Sequence, residues 1–435
     1  MRKISDLTET SYPKRFFLSR ERIQATGLAL WFAAVTIPLW SLENPHSSQF
    51  LEEANLWRYP MTAILLVGIF LVLFRSYAAG RVAALFSTDI VSILLVSFGL
   101  FTIIVSLLTA RWSAVAYSVM YLLAFWLWAD FWQMSAVARR IFAIRTFYVL
   151  VLFLLGAVVI HGLPQYRWVG GIHPNHYGAV ALALLIVARL CGATYYRVGG
   201  VLAFAATILV SSRYALLSCF AFVLVIYVLP LIRARSGGLR ILLFGVCLSF
   251  AVVAVLTIEP LWNIFDWLFA LSSVERGIGS NLTGRIDSWY NFSVQFFQEP
   301  ILGYGFRQRH MYLGTHNAYL NMILENGLVA GLFLGGMVLT GGRMLNASLT
   351  SDKRWCLYFS DRSRREYVSD FGFAVFVVLT ISGFFQPQLI NFGDSFGILV
   401  FLMLGMNSYP VGSYNKVYAI SSAACSNQNK RVVNP

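Results

Sequence analysis

Charge is what this sequence has least of. Asp, Glu, Lys and Arg make up 12% of its 435 residues, about half the share usual in soluble domains, which excludes an ordinary soluble fold. Acidic residues are the scarcer kind, 19 against 33 basic ones. That excess does not point to nucleic acid, because the basic residues fall in short segments between apolar runs, as insertion into a membrane demands. The alternating segments of roughly ten residues that build a transmembrane β-barrel are missing as well. Five cysteines (Cys191, Cys219, Cys247, Cys356 and Cys425) form no CxxC pair, and none falls in an expected outward loop, so neither a disulfide framework nor a cysteine metal site is offered. No small-x-small cleavage site follows the first apolar run, which is therefore expected to be a retained helix. No internal repeat or low-complexity tract is present.

What the sequence has is apolar length. Hydrophobic residues make up 58% and mean hydropathy is +0.68, in continuous runs of about 15 to 25 residues, enough for a helix to cross about 30 Å. The expectation is an all-α polytopic membrane protein. The runs lie at 25–40, 60–74, 89–110, 113–134, 141–160, 175–190, 197–211, 214–231, 240–258, 318–341, 370–386 and 393–409. They predict about twelve crossings with both termini on one side, the second and seventh being short. On this reading 1–258 holds helices one to nine, 259–317 a large outer loop, 318–409 helices ten to twelve, and 410–435 an inner tail. With the N-terminus inside, the outward basic set shrinks to Arg58, Arg111, Arg167, Arg213, Arg276, Arg285, Arg307 and Arg309, and every lysine is inside. Such asymmetry supports this orientation. All six histidines then face outward. The inner segment 342–369 reads as a solvated basic connector.

Within the outer loop, Leu261 to Leu271 is apolar and Trp-rich, which predicts a helix lying on the membrane surface. Arg285 to Gln298 predicts a second helix, opened after Gly284, stopped by Glu299-Pro300, and packed on the bundle by a wide apolar face. Gly303-Tyr304-Gly305-Phe306 predicts a turn. After it, His310 to Gly331 (HMYLGTHNAYLNMILENGLVAG) passes from a polar loop into an apolar helix, with His316 and Asn317 at the junction.

Several residues carry candidate chemistry. Arg213 follows Ser211-Ser212 in a very short outward turn, and an arginine this close to hydrocarbon needs a carboxylate, a lipid headgroup or a substrate phosphate, or else snorkels. Arg285, at the expected start of its helix, would share a phosphate with free backbone N–H groups or pair with Asp287, Glu299 or Glu275. Arg167 lies in YRWVGGIHPNHYG, where Asn175 is expected to cap the sixth helix and Pro174 to start it. His173, His176 and His316 have no Asp, Glu or Cys at ligand spacing, so no metal or other cofactor is expected. His316 is either an inert interfacial histidine or a base, since an imidazole of ordinary pKa near 6.5 takes a proton at neutral pH. Arginines binding a diphosphate would stabilise a leaving group without a metal. Asn317, His176 and Tyr319 are candidate supporting residues. His310 is expected to be loop surface.

These motifs resemble those of the O-antigen ligases and their relatives among bacterial polysaccharide polymerases and protein O-oligosaccharyltransferases. The likeness lies in RWVGGIHPNHYGAVALALL, SSRYALLS, LTGRIDSWYNFSVQFFQEPILGYGF and HNAYLNMILENGLVAG, in that order, with the large outer loop between helices nine and ten. The resemblance implies a twelve-helix integral membrane glycosyltransferase fold, GT-C-like, in the bacterial inner membrane, with both termini cytoplasmic and the active site periplasmic. It implies transfer of a polysaccharide from undecaprenyl diphosphate to a sugar of lipid A-core, inverting and metal-free, with His316 as the essential histidine and Arg213 and Arg285 as essential arginines. Arg167 is a weaker third. Membrane lipids would be the surroundings, and nucleic acid no partner. A polymerase or a protein oligosaccharyltransferase would use the same machinery. A transporter or flippase of a lipid-linked anion is a rival of another class, but it would call for a mid-membrane site at broken helices in both halves. Asp89 and Asp130 are expected near helix ends instead, and Asp394 at the outer mouth.

Overall fold

The computed structural model describes residues 22–29, 32, 89–134, 136–164, 169, 172, 174–233, 238, 242, 245, 246, 249, 253–255, 257–269, 272, 281–306, 315, 317–349, 356–357, 366–385 and 395–406. The second expected run, the tail 410–435, and Arg167, His173, His310, His316 and Asp394 lie outside them. The described part is helical, with six helices long and apolar enough to cross a membrane and two shorter apolar ones, Ala193–Leu209 and Ser369–Phe385. The chain is an α-helical membrane protein.

Six helices run in succession: α1 (Ile90–Leu108), α2 (Trp112–Gln133), α3 (Ala136–His161), α4 (Pro174–Cys191), α5 (Ala193–Leu209) and α6 (Arg213–Arg233). Two shorter ones follow, α7 (Glu259–Phe269) and α8 (Asn281–Phe296). Then come α9 (Ala318–Asn326), a 3-10 turn at Gly327–Val329, α10 (Ala330–Leu349), α11 (Val368–Phe385) and α12 (Ser395–Gly405). Between α10 and α11 a two-residue antiparallel pairing joins Cys356–Leu357 to Glu366–Tyr367. The tenth expected run is thus two helices with a break, and it continues to Leu349. Arg343, expected in the solvated connector, lies inside α10.

α4 is the central post. Its stretch from Tyr177 to Ala188 is buried throughout, as a helix apolar on all sides must be, and α3, α5, α6 and α12 pack around it. Helices in lipid gain little from apolar burial alone, so close approach through small residues supplies the packing. At Gly405 of α12 an added Cβ would lie 2.6 Å from both the carbonyl carbon and oxygen of Trp128 in α2. The second packing device is aromatic. Phe98, Tyr121, Phe306 and Phe333 meet at centroid distances of 5.2 to 6.5 Å, mostly edge to face.

The two ends of the bundle differ in their polar contacts. At one end Arg343 Nη1 lies 2.5 and 2.6 Å from the two carboxylate oxygens of Asp89, which also caps α1 by accepting from Val91 N–H. Asp130, fully buried near the end of α2, accepts from Gln24 Nε2 at 3.1 Å. Arg139, buried at the start of α3, donates to the carbonyls of Trp132 and Met134 at 2.8 and 2.5 Å. The opposite end carries Asn175, Arg213, Asn317 and Tyr319.

Gly405→Ala should lower thermal stability in detergent by about 1–3 kcal/mol, because backbone cannot yield to the new methyl. Gly335→Ala, on α10 with nothing within 4 Å of its Cβ, should be neutral or gain a few tenths of a kcal/mol from helix propensity. Melting temperatures that move equally would remove the packing argument.

Candidate active site at one end of the bundle

Two of the turns at this end of the bundle are made the same way. Past the end of α5, Ser211 takes a left-handed φ of 48°, and the N–H groups of Ser211 and Ser212 return to Ile208 and Thr207 at 3.0 Å. Past α1, Ala110 has φ 53°, with Ala110 and Arg111 N–H returning to Leu107 and Ser106 at 3.1 and 2.8 Å. This closure satisfies the last carbonyls of a helix and normally uses glycine, a non-glycine residue costing roughly 1 kcal/mol. Each turn delivers an arginine at once: Arg111 before α2 and Arg213 as the first residue of α6.

Arg213 is half-buried, and its Nη1 donates to the carbonyl of Phe269 at 2.8 Å. One partner is thus the last residue of α7, where the helix dipole leaves partial negative charge. α7 begins and ends two residues before the expected span. It is held at its end by Asp266, which accepts from Ser272 N–H at 2.7 Å, and it exposes Leu261, Ile264 and Trp267, the apolar surface that an interfacial helix offers to lipid.

The HPN and SSRY motifs meet through α4 and α6. Tyr214 donates its hydroxyl to the Asn175 carbonyl at 2.6 Å, and at Gly178 an added Cβ would stand 2.9 Å from the Cβ of Ala215. Asn175 does not cap α4. The helix starts one residue earlier at Pro174, whose fixed φ suits the first helical position. His176 is exposed on that first turn.

The α6 contact then continues to the HNAYLN motif. Ser218 and Ser382 share a hydrogen bond of 2.8 Å between α6 and α11. Beside Ser382, Gly383 admits the Tyr319 ring, which an added Cβ would meet at 2.7 Å. The Tyr319 hydroxyl donates to the α11 carbonyls, 3.0 Å from Thr380 O and 3.3 Å from Leu379 O. Tyr319 thus ties α9 to α11. Asn317 caps α9, its Oδ1 accepting from Tyr319 and Leu320 N–H at 3.0 and 3.2 Å. Thr315 and Asn317, on either side of His316, are both buried.

The end of the outer loop is stitched to the break after α9. Tyr304 and Gly305 N–H donate to the carbonyls of Leu324 and Glu325 at 2.8 Å, and Leu328 N–H donates to Pro300 O at 2.9 Å. Gly303 (φ 68°) and Gly327 (φ 57°) face this seam, where a Cβ on Gly303 would stand 2.5 Å from Leu324 O. Arg111 Nη1 reaches Gly303 O at 3.4 Å. Burial and the neighbouring Glu299 carboxylate raise the Tyr304 hydroxyl above its ordinary pKa. It stays protonated and lies 2.8 Å from Gln298 Oε1 and 3.0 Å from Gln295 O.

Arg285 does not open its helix. α8 starts at Asn281, so Arg285 is in the second turn, where its own N–H is within reach of an intrahelical carbonyl and is no longer a free anion donor. Gly284 lies inside the helix, where a glycine costs about 1 kcal/mol without stopping it. α8 meets α9, yet Tyr290, Val294 and Phe297 are exposed among the described residues, contrary to the expected close packing. Sequence reasoning placed Phe306 in a turn but missed its burial: it is 2% exposed against Phe98 and Tyr121. The missed signal was an aromatic directly after the second of two closely spaced glycines, Gly303 and Gly305. Among the described residues no group of three His, Cys, Asp or Glu side chains is placed to hold a metal; the expected histidine set includes two residues outside them.

Comparison of the chain with protein-family models and with curated proteins found no match.

Replacing Gly303 by alanine should cost about 2–4 kcal/mol, from the left-handed backbone and the collision with backbone across the seam. Gly162→Ala is the control: φ is 78° there with nothing within 4 Å, so only the backbone term of roughly 1 kcal/mol remains. Chemical denaturation of both variants in detergent gives the comparison, and similar losses would mean that the seam carries no load.

Proposed function

We propose that the chain is a membrane glycosyltransferase of the O-antigen ligase type, working at the outer face of a bacterial inner membrane. It transfers a polysaccharide from undecaprenyl diphosphate to a sugar hydroxyl of lipid A-core. The supporting observation is the unbroken path of contacts that joins the motifs at one end of the bundle. It runs from Asn175 to Tyr214 beside Arg213, then through Ser218 and Ser382 to Tyr319 and Asn317. Residues far apart in sequence converge on a surface that α7, a helix with an exposed apolar side, borders through Arg213.

In this reading His316 is the general base. It takes the proton from the acceptor hydroxyl, whose oxygen attacks the anomeric carbon as the bond to the diphosphate oxygen breaks, with inversion. The guanidinium groups of Arg213 and Arg285, with Arg167 as a third, bind the diphosphate and stabilise the charge that it gains on leaving. Arg213 would exchange or supplement its bond to Phe269 O when the anion arrives. The scarcity of lysine in the outward segments suits this use, since a two-pronged phosphate contact needs the planar fork of arginine. The broken span at Gly327–Val329 is also a feature of transporters. Here, however, the Leu324 and Glu325 carbonyls accept from Tyr304 and Gly305 N–H, which favours a rigid scaffold over an ion site.

The decisive experiment supplies purified protein with lipid-diphosphate glycan and, separately, lipid A-core, further donor or a protein acceptor. Glycan appearing on lipid A-core is the expected outcome. Product on either other acceptor would name a polymerase or a protein oligosaccharyltransferase, and no product with any of them would sink the transferase reading. His316→Ala should lower transfer by roughly 100- to 10,000-fold, to a residual rate, while the protein remains inserted and folded. Arg213→Lys and Arg285→Lys should each lose at least tenfold in kcat/KM, because charge is kept and the fork is lost. Treatment with a chelator should leave the rate unchanged, and recovery of a lost rate with one divalent metal would overturn the metal-free mechanism.

A further inference from the structure

The backbone immediately before position 316 is held by one side chain. Asn321, 1% exposed on α9, turns its carboxamide onto both polar groups of Thr315. Its Oδ1 accepts from Thr315 N–H at 2.7 Å, and its Nδ2 donates to the Thr315 carbonyl at 2.7 Å. The Thr315 hydroxyl lies 2.9 Å from both Asn321 Oδ1 and the Asn317 carbonyl, and accepts from Asn317 N–H at 3.3 Å. Thr315 itself is 2% exposed.

An amide paired with both groups of one residue imitates a neighbouring strand. The Thr315 carbonyl belongs to the peptide that joins it to His316, so Nδ2 sets the plane of that peptide. On the other side Asn317 is fixed as the cap of α9. Helix formation does not require Asn321 for this, because Asn317 Oδ1 already accepts from two of the free N–H groups at the N-terminus. All three hydrogen bonds of the Asn321 carboxamide named here go instead to the residue before the histidine. Buried this deeply, the carboxamide would be costly without them.

We infer that Asn321 is a positioning residue for His316: it holds the Thr315 end of the peptide that leads to His316, and so steadies the backbone from which the base acts on the acceptor hydroxyl. This rests on the reading of His316 as the base. Asn321 touches no substrate and acts only through the backbone that it holds. A misplacement of about 1 Å in a reacting group can cost around 100-fold in rate, so its loss should appear in kcat and not in donor affinity.

The test is a steady-state transfer assay on purified full-length protein with lipid-diphosphate glycan and lipid A-core, each variant first matched to wild type in gel-filtration profile and melting temperature. Asn321→Ala should lower kcat by about 10- to 100-fold with donor KM within twofold. Thr315→Ser, which keeps the hydroxyl, should remain near wild type. Thr315→Val, which leaves the Asn321 amide pair in place, should lose only a few-fold and serves as the milder variant if Asn321→Ala folds poorly. A double-variant cycle separates positioning from general damage. Adding Asn321→Ala to His316→Ala should cost nothing further in the residual rate, whereas general damage would cost the same factor in both backgrounds. Equal cost in both backgrounds, a rise in KM at unchanged kcat, or an Asn321→Ala or Thr315→Val rate that follows only the amount of folded protein would overturn the inference. Wild-type transfer by His316→Ala would instead overturn the base reading, whatever Asn321→Ala does.

Discussion

A break in a membrane helix leaves backbone groups without partners, and in hydrocarbon each must be satisfied by protein. Here the partner is a specific piece of chain. The turn at 300–305 donates to the carbonyls ahead of the break and accepts from the N–H beyond it, with two left-handed glycines making the approach close enough. The segment before the break, α9, begins at Asn317 and Tyr319. The direction of that short helix depends on the seam below it. Phe306 anchors the same turn in the aromatic core of α1, α2 and α10, so the outer loop and the bundle are one packed body at this point.

The arginines are delivered by a different device with a similar logic. A left-handed residue at Ser211 or Ala110 reverses the chain within two or three positions, too few for a guanidinium to swing far from the bundle. Arg213 Nη1 then meets a carbonyl at a helix C-terminus, which offers partial negative charge. At the opposite end of the bundle Arg343 pairs directly with the Asp89 carboxylate.

The helical class, the six long apolar helices among the described residues and most of their ends were legible in the sequence. Apolar length and charge scarcity are properties of composition, and the start of α4 near Pro174 and of α9 after Asn317 follow from local backbone chemistry. Asn317, Asn175 and Arg213, far apart in sequence, are linked at one end of the bundle by contacts through Tyr214, Ser218 and Tyr319. The start of α8 was misjudged because Gly284 looks like a boundary, and a single glycine is tolerated inside a helix whose other residues favour it. The break at Gly327 was missed for the opposite reason: the run on both sides is apolar, and only the approach of Pro300 to Leu328 shows why the glycine is there.

What the sequence determined by itself was the medium and the local conformations, since transfer of side chains from water to lipid and the capping of helix ends act on neighbouring residues. Tertiary structure alone decided which distant residues share a contact: Asn321 with Thr315, Tyr214 with Asn175, Arg213 with Phe269, and the loop turn with the helix break. Those pairings are hydrogen bonds between polar groups that carry no periodic signal along the chain. Their partners are chosen by the packing of helices that approach closely only where a small residue lets them.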